Sequence, residues 1–154
     1  MRMSVRRGTD DDARPAADLY LRARRAAAGA IPPGVHGDDD VREWFRSHVV
    51  PDSELWVAED PPGALTGVLV LDGEWLDQLY VEPALTGRGI GSALLAHAKR
   101  ERPGGLRLWT FVSNTGAQRF YARHGFVEVR RTDGRANEEH APDILFAWTP
   151  ELNE

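Results

Sequence analysis

No cysteine occurs in the 154 residues. That excludes disulfide frameworks, thiolate nucleophiles and cysteine-based zinc sites, and it leaves the redox compartment unreadable. Long apolar runs are also missing: no segment approaches the roughly 18 uninterrupted apolar residues of a membrane-spanning helix. The basic start MRMSVRRGTDDD has no apolar region behind it, so it does not read as a secretory leader, and the sequence is expected to be soluble and cytoplasmic. Positive charge is in deficit. A formal net charge of -5 argues against a broad nucleic-acid footprint. What remains is ordinary globular composition, 42% hydrophobic and 28% charged, enough for one domain over residues 1–154.

Local patterns divide the chain. Thr9 and Asp12 have the spacing of a capping box ahead of an Ala/Leu/Arg-rich run, which predicts a helix from about Asp11 to Ala28. Gly29, Pro32, Pro33 and Gly34 end it. A shorter helix follows in DDDVREWFRSHV, where Val41, Trp44, Phe45 and His48 fall on one face and three aspartates occupy the positive end of the dipole. Then the period shortens. ELWVAED reads as a strand, and TGVLVLDGEWLDQLYV as two strands joined at Asp72-Gly73, a strong hairpin signal. IGSALLAHAKRE is a helix with an Ile90, Leu94, Leu95, Ala98 stripe. LRLWTFV, FVEVRR and ILFAWTP read as strands, and Asn114 caps a short helix that ends at Gly125. The order predicts an α+β (mixed α/β) sheet with helices on its faces. The cluster Arg22, Arg24, Arg25 reads as a solvated helix face, with phosphate binding as the other option.

The segment TGRGIGS, residues 86–92, lies between a strand and a helix. A glycine-rich turn at a helix N-terminus is an anion site, because the first helical N–H groups have no internal partner and the dipole adds partial positive charge. It is not a dinucleotide fingerprint, since Ser92 stands where the last glycine would be. It is not a P-loop, since no Gly-Lys pair occurs.

The stretch LDQLYVEPALTGRGIGSALLAHAKR followed by NTGAQRFYARHGF resembles the GNAT superfamily of acetyl-CoA-dependent N-acetyltransferases. The match is close over residues 76–126, and the element order extends it over most of the rest. The family signature, Gln/Arg-x-x-Gly-x-Gly/Ala, maps onto Thr86-Gly87-Arg88-Gly89-Ile90-Gly91, with Thr86 departing from the usual Gln or Arg. The resemblance implies a central, mostly antiparallel, twisted sheet of six to seven strands flanked by about four helices. It implies that residues 87–92, including Ser92, hold the pyrophosphate of acetyl-CoA, and that the pantetheine arm runs beside Leu79 and Val81 like an extra strand. It also gives Asn114 a bond to that arm, beside its plain role as a cap. The tail residues Asn137-Glu138-Glu139 and Pro142-Asp143 resemble a bacterial subgroup of the superfamily with no assigned substrate.

Acetyl transfer from a thioester to an amine needs a neutral amine, a polarised carbonyl and a proton for the departing thiolate. The resemblance makes Tyr121 the general acid, and a phenol of pKa near ~10 keeps its proton at neutral pH. For the base, alternation on WLDQLYV puts Asp77 on the face of Leu79 and Val81. Glu138, Glu139 and Asp143 are alternatives that would line an acceptor pocket, and His36 in the IPPGVHGDDD segment is another. His97 and His124 read as surface or packed histidines. The expected partners are acetyl-CoA as donor and a small-molecule or peptide amine as acceptor, without metal, nucleic acid or membrane, and a homodimer is allowed. The competing reading is a non-catalytic acyl-CoA-binding module of the same fold.

Overall fold

A computed structural model describes residues 3–150. It contains one seven-stranded sheet in the order β1-β2-β3-β4-β5-β7-β6, with four helices on its faces. The strands are β1 Ser4–Arg7, β2 Glu54–Glu59, β3 Leu65–Asp72, β4 Trp75–Val81, β5 Leu106–Phe111, β6 Val127–Thr132 and β7 Asp143–Trp148. All neighbouring pairs are antiparallel except β4 with β5. That parallel pair is joined by α3, Ile90–Glu101, while α4, Thr115–Arg123, links β5 to β6. Helix α1 spans Ala13–Ala26, and α2 begins at Asp38–Trp44.

Two apolar layers enclose the sheet. On one face α1 and α2 bury Ala16, Ala17, Leu19, Val41 and Phe45 against Leu55, Val57, Val68 and Val70. On the other, α3 and α4 bury Ile90, Leu94, Leu95, Ala98 and Tyr121 against Leu69, Leu71, Leu76, Leu108, Ile144 and Phe146. The stripe read from the α3 sequence is thus the buried face.

Three local readings shift. Helix α2 continues through a π turn, Phe45–Val49. The wider turn delays the apolar face by one residue, so Val49 is buried where His48, now exposed, had been expected. The β3–β4 hairpin pairs Asp72 with Trp75, so its two-residue loop is Gly73-Glu74, with Gly73 supplying the positive φ of 57°. Asp12 does accept from the Thr9 amide at 2.8 Å, but it also takes two bonds from Arg6, at 2.7 and 2.9 Å. That pairing with Arg6 outweighs burial, which acts the other way, and holds its carboxyl below the usual range.

Candidate active site

Strand β4 carries a bulge. Gln78 pairs with Val70 and Leu76 with Leu71, which leaves Asp77 as the extra residue. A bulge breaks the two-residue alternation and bends its strand. Both consequences are visible. Leu76 packs in the same core layer as Leu79 and Val81, where strict alternation would have put it on the opposite face, and Asp77 lines the same cleft as Leu79 and Val81. And β4 meets β5 at one register only, Trp75 with Arg107, after which the two strands part.

The gap is a cleft of about 290 Å³ lined by Asp77, Leu79, Val81, Thr86, Asn114 and Tyr121. Its β5 wall includes Leu108, Trp109, Thr110 and Phe111, residues that the sequence reading passed over. Strand alternation on β5 was the available signal, with Leu108 and Thr110 buried and Trp109 exposed. Tyr121 is 8% exposed, and its ring packs edge-on against Phe120 and Phe126 at 5.2 and 5.4 Å. Burial, and then the neighbouring Tyr80, push its phenol well above the ordinary tyrosine value. Asp77 is solvent-accessible yet crowded at the cleft, and desolvation followed by the charge of Asp72 raises its carboxyl above the usual range.

At one end of the cleft lies the glycine turn. Gly87 and Gly89 adopt φ of 80° and 83°, a left-handed conformation open to glycine at little cost. A Cβ on either would meet nothing within 4 Å, so the space in front of the turn is clear. Gly89 is the N-cap of α3 and no side chain caps this helix. The first backbone bond is Ala93 N to Gly89 O at 3.0 Å, which leaves the N–H groups of Ile90, Gly91 and Ser92 unclaimed by the chain. The contrast with α4 is direct, since Asn114 Oδ1 accepts from Ala117 N at 3.2 Å there. Unclaimed N–H groups behind an open glycine turn suit an anion, and the turn therefore fits a phosphate group. Thr86 has its hydroxyl 3.4 Å from Pro83 O. Behind the turn Ser92 Oγ lies 3.1 Å from His124 Nε2, so His124 is a packed histidine, as read from sequence, and it borders the turn.

The other end of the cleft leads to the acceptor-side candidates, and the arginine cluster organises it. Each arginine ties α1 to a different element. Arg22 Nε bonds Glu82 at 3.1 Å, Arg25 bonds Asp38, and Arg24 donates to Tyr80 Oη at 3.3 Å and Pro32 O at 3.1 Å. Arg24 also lies 3.9 Å from Glu139, with both side chains largely buried. Arg22 and Arg25 are exposed, as expected of a solvated face, and Arg24 is the one drawn inward. Burial raises the Tyr20 phenol beside them to about 12.

Among the acidic candidates, Glu139 is thus matched by Arg24, while Glu138 meets His36 at 3.1 Å with both exposed. These pairs border a cavity of about 340 Å³ under the segment Gly29–His36. Asp143 is buried; it accepts from Thr132 Oγ1 and from Asn137 Nδ2 at 3.1 Å and fixes the 133–142 loop. It also lines a neighbouring cavity with Trp109, Phe111 and Arg130. Tyr121, Asp77, Asn114, Leu79, Val81 and Thr86 therefore share one cleft, with the turn at its end, whereas His36, Glu138, Glu139 and Asp143 surround its approaches. No helix among the described residues is long and apolar enough to cross a membrane.

The family model of the acetyltransferase (GNAT) domain matches residues 51–128. Peptidyl-lysine N-acetyltransferase YjaB of Salmonella typhimurium is 37% identical over 93 residues, 59% of this chain and 62% of that protein. The matched part thus spans less than two thirds of that relative's length. The solution structure of apo YjaB from Escherichia coli superimposes with a TM-score of 0.78 at 24% identity, covering 96% of this chain and 98% of that one. Salmonella typhimurium yncA, solved with its cofactor acetyl-CoA, does so at 0.67 and 20% identity, over 96% of this chain and 92% of the other. These two likenesses establish the fold.

Proposed function

The chain belongs to the GNAT acetyltransferase family, and on that premise we propose that it moves the acetyl group of acetyl-CoA directly to a primary amine of a small molecule or peptide. One observation carries the reading: the parted edge of β4, Tyr121 and Thr86, the residue that leads into the uncapped turn of α3, line one cleft. Extended ligands of the pantetheine type suit a strand edge left without a neighbour, because the free backbone groups supply hydrogen bonds. A lysine side chain of a polypeptide is the acceptor class we favour, following the activity named for YjaB.

The chemistry assigned to the residues is as follows. Asp77 takes a proton from the acceptor ammonium, directly or through water, and its raised pKa suits a base better than an ordinary carboxylate. The free amine attacks the thioester carbonyl, the C–N bond forms and the C–S bond breaks. Tyr121 gives its proton to the leaving sulfur; with a pKa pushed up by burial, the phenol is protonated at neutral pH, and it regains its proton from solvent. Asn114 and the strand residues Leu79 and Val81 flank the donor arm. Glu138, Glu139 and His36 shape the acceptor entrance.

The test is release of free CoA over a panel of amines that includes lysine peptides. Turnover with at least one amine supports the reading. Binding of acetyl-CoA without acceptor-dependent release across the panel would make the chain an acyl-CoA-binding module.

A further inference from the structure

Strand β6 carries a second bulge, and it decides which face Arg130 joins. Glu128 pairs with Phe146 and Arg130 with Leu145, so Val129 is the extra residue. Strict alternation would put Arg130 on the face of Glu128, the side on which Phe146 enters the core under α3 and α4. The bulge instead sets Arg130 opposite Leu145, whose partner on β5 is Trp109. Residues directly opposite one another in an antiparallel ladder share a face. Trp109, Leu145 and Arg130 therefore form one line across three strands, and the guanidinium closes it by stacking over the Trp109 ring at 5.1 Å. Leu145 is buried yet belongs to neither core layer; a place under this stack accounts for its burial.

The next line is Phe111, Asp143 and Thr132. The two lines floor a cavity of about 390 Å³, walled by Ala136, Asn137 and Glu139 of the 133–142 loop. Its carboxylates are already engaged. Asp143 accepts from Thr132 and Asn137, and Glu139 lies 3.9 Å from Arg24. Its cation is not: Arg130 has no ion pair or hydrogen bond among the described residues, whereas Arg131 beside it and Arg107 on β5 pair with Glu128 and Glu74 at 3.0 and 3.7 Å. Stacking holds a guanidinium against an indole face and leaves its edge N–H groups free, in the fork that matches a carboxylate.

Trp109, Thr110 and Phe111 line this cavity and also the cleft that holds Tyr121 and Asp77. We propose that Arg130, held on Trp109, binds a carboxylate of the acceptor, so that the protein selects lysines with an acidic group nearby in the polypeptide. The inference rests on the lysine-peptide reading of the acceptor. With the target amine at Asp77 and the carboxylate on Arg130, one acceptor segment meets opposite charge at both of its ends.

The experiment measures CoA release with heptapeptides that carry one central lysine and are capped at both ends. A single Glu is moved through the positions on either side, with Gln or Arg as controls at the same positions. Wild type is expected to prefer Glu over Gln at one or more positions by about fivefold in kcat/KM, the upper range for a solvent-accessible ion pair, and the difference should lie in KM. Arg130→Gln should lose that preference. Arg130→Glu should reverse it toward Arg, and since Arg130 is exposed neither change disturbs the core. An acidic side chain and a chain end supply the same carboxylate, and the Gln peptide with a free C-terminus in place of its amide separates them: an Arg130-dependent preference for either supports the site. Preferences below about twofold for every peptide, or preferences unchanged in Arg130→Gln, would overturn the site and leave acetyl transfer to peptides intact. Release with small amines but with none of the peptides would overturn the polypeptide acceptor and this site together.

Discussion

Ser92 Oγ and His124 Nε2 are 3.1 Å apart, so the first turn of α3 and the end of α4 meet at a titratable side chain beside the anion site. Burial, then Lys99 and Arg123, hold the His124 imidazole below the usual histidine range. The unfolded chain takes up this proton near pH ~6.5. The folded protein therefore loses stability as pH falls through that value, and the loss is complete below the folded pKa. His97, also held down by burial, acts with the same sign. Denaturant unfolding between about pH 7.5 and 5 should show a shallower decline for His124→Gln than for wild type. Cofactor affinity should move the other way, tightening as pH falls, because a protonated His124 faces phosphate. Identical slopes for the two proteins would remove His124 from both effects.

Gly91 separates space from conformation. Gly87 and Gly89 need positive φ, so a side chain at either strains the turn as well as filling it. Gly91 is in the helix, and a Cβ there would make only ordinary contacts, 3.5 Å to Phe120 and 3.6 Å to Val81. Gly91→Ala should hold or raise stability by about 0.5–1 kcal/mol through helix propensity. If phosphate approaches this backbone closely, acetyl-CoA should bind more weakly, and Gly91→Val more weakly still. Undiminished affinity in a folded Gly91→Val variant would place the cofactor elsewhere.

Arg24 and Glu139 bind α1 to the 133–142 loop. Replacing Arg24 with Gln leaves a largely buried carboxylate without its cation, a loss of about 2 kcal/mol for a charged contact of this kind. In a domain of this size that is about 4–8 °C in Tm. Asp143→Asn should likewise appear in stability rather than in acceptor KM, since its oxygens are engaged by Thr132 and Asn137. Shifts under about 1 °C in both variants would make these contacts solvated surface pairs.

Much of the fold was legible because its signals are local. The α3 stripe, the Asn114 cap and the glycine turn each follow from a few adjacent letters. The misreadings arose where a distant partner decides. The bulge at Asp77 answers the register of β3, and nothing in WLDQLYV marks it. The π turn after Trp44 moves Val49 inward to meet the sheet. Arg22, Arg24 and Arg25 look alike in sequence, and only the elements packed around α1 send them to Glu82, Tyr80 with Glu139, and Asp38. The β5 wall of the cleft went unread because it becomes a wall only when β4 turns away.

Tyr121→Phe tests the account most directly. The hydroxyl has no hydrogen-bond partner among the described residues, and the ring packs against Phe120 and Phe126, so the variant should keep wild-type stability and acetyl-CoA affinity. Loss of the proton donor should lower kcat and kcat/KM together by roughly 10²–10⁴, the range of positioned acid–base groups. The measurement is CoA release with an accepted amine, under conditions where chemistry limits the rate. A reduction of that size with unchanged affinity is the predicted result; release at the wild-type rate would contradict the account and leave Tyr121 a packing residue.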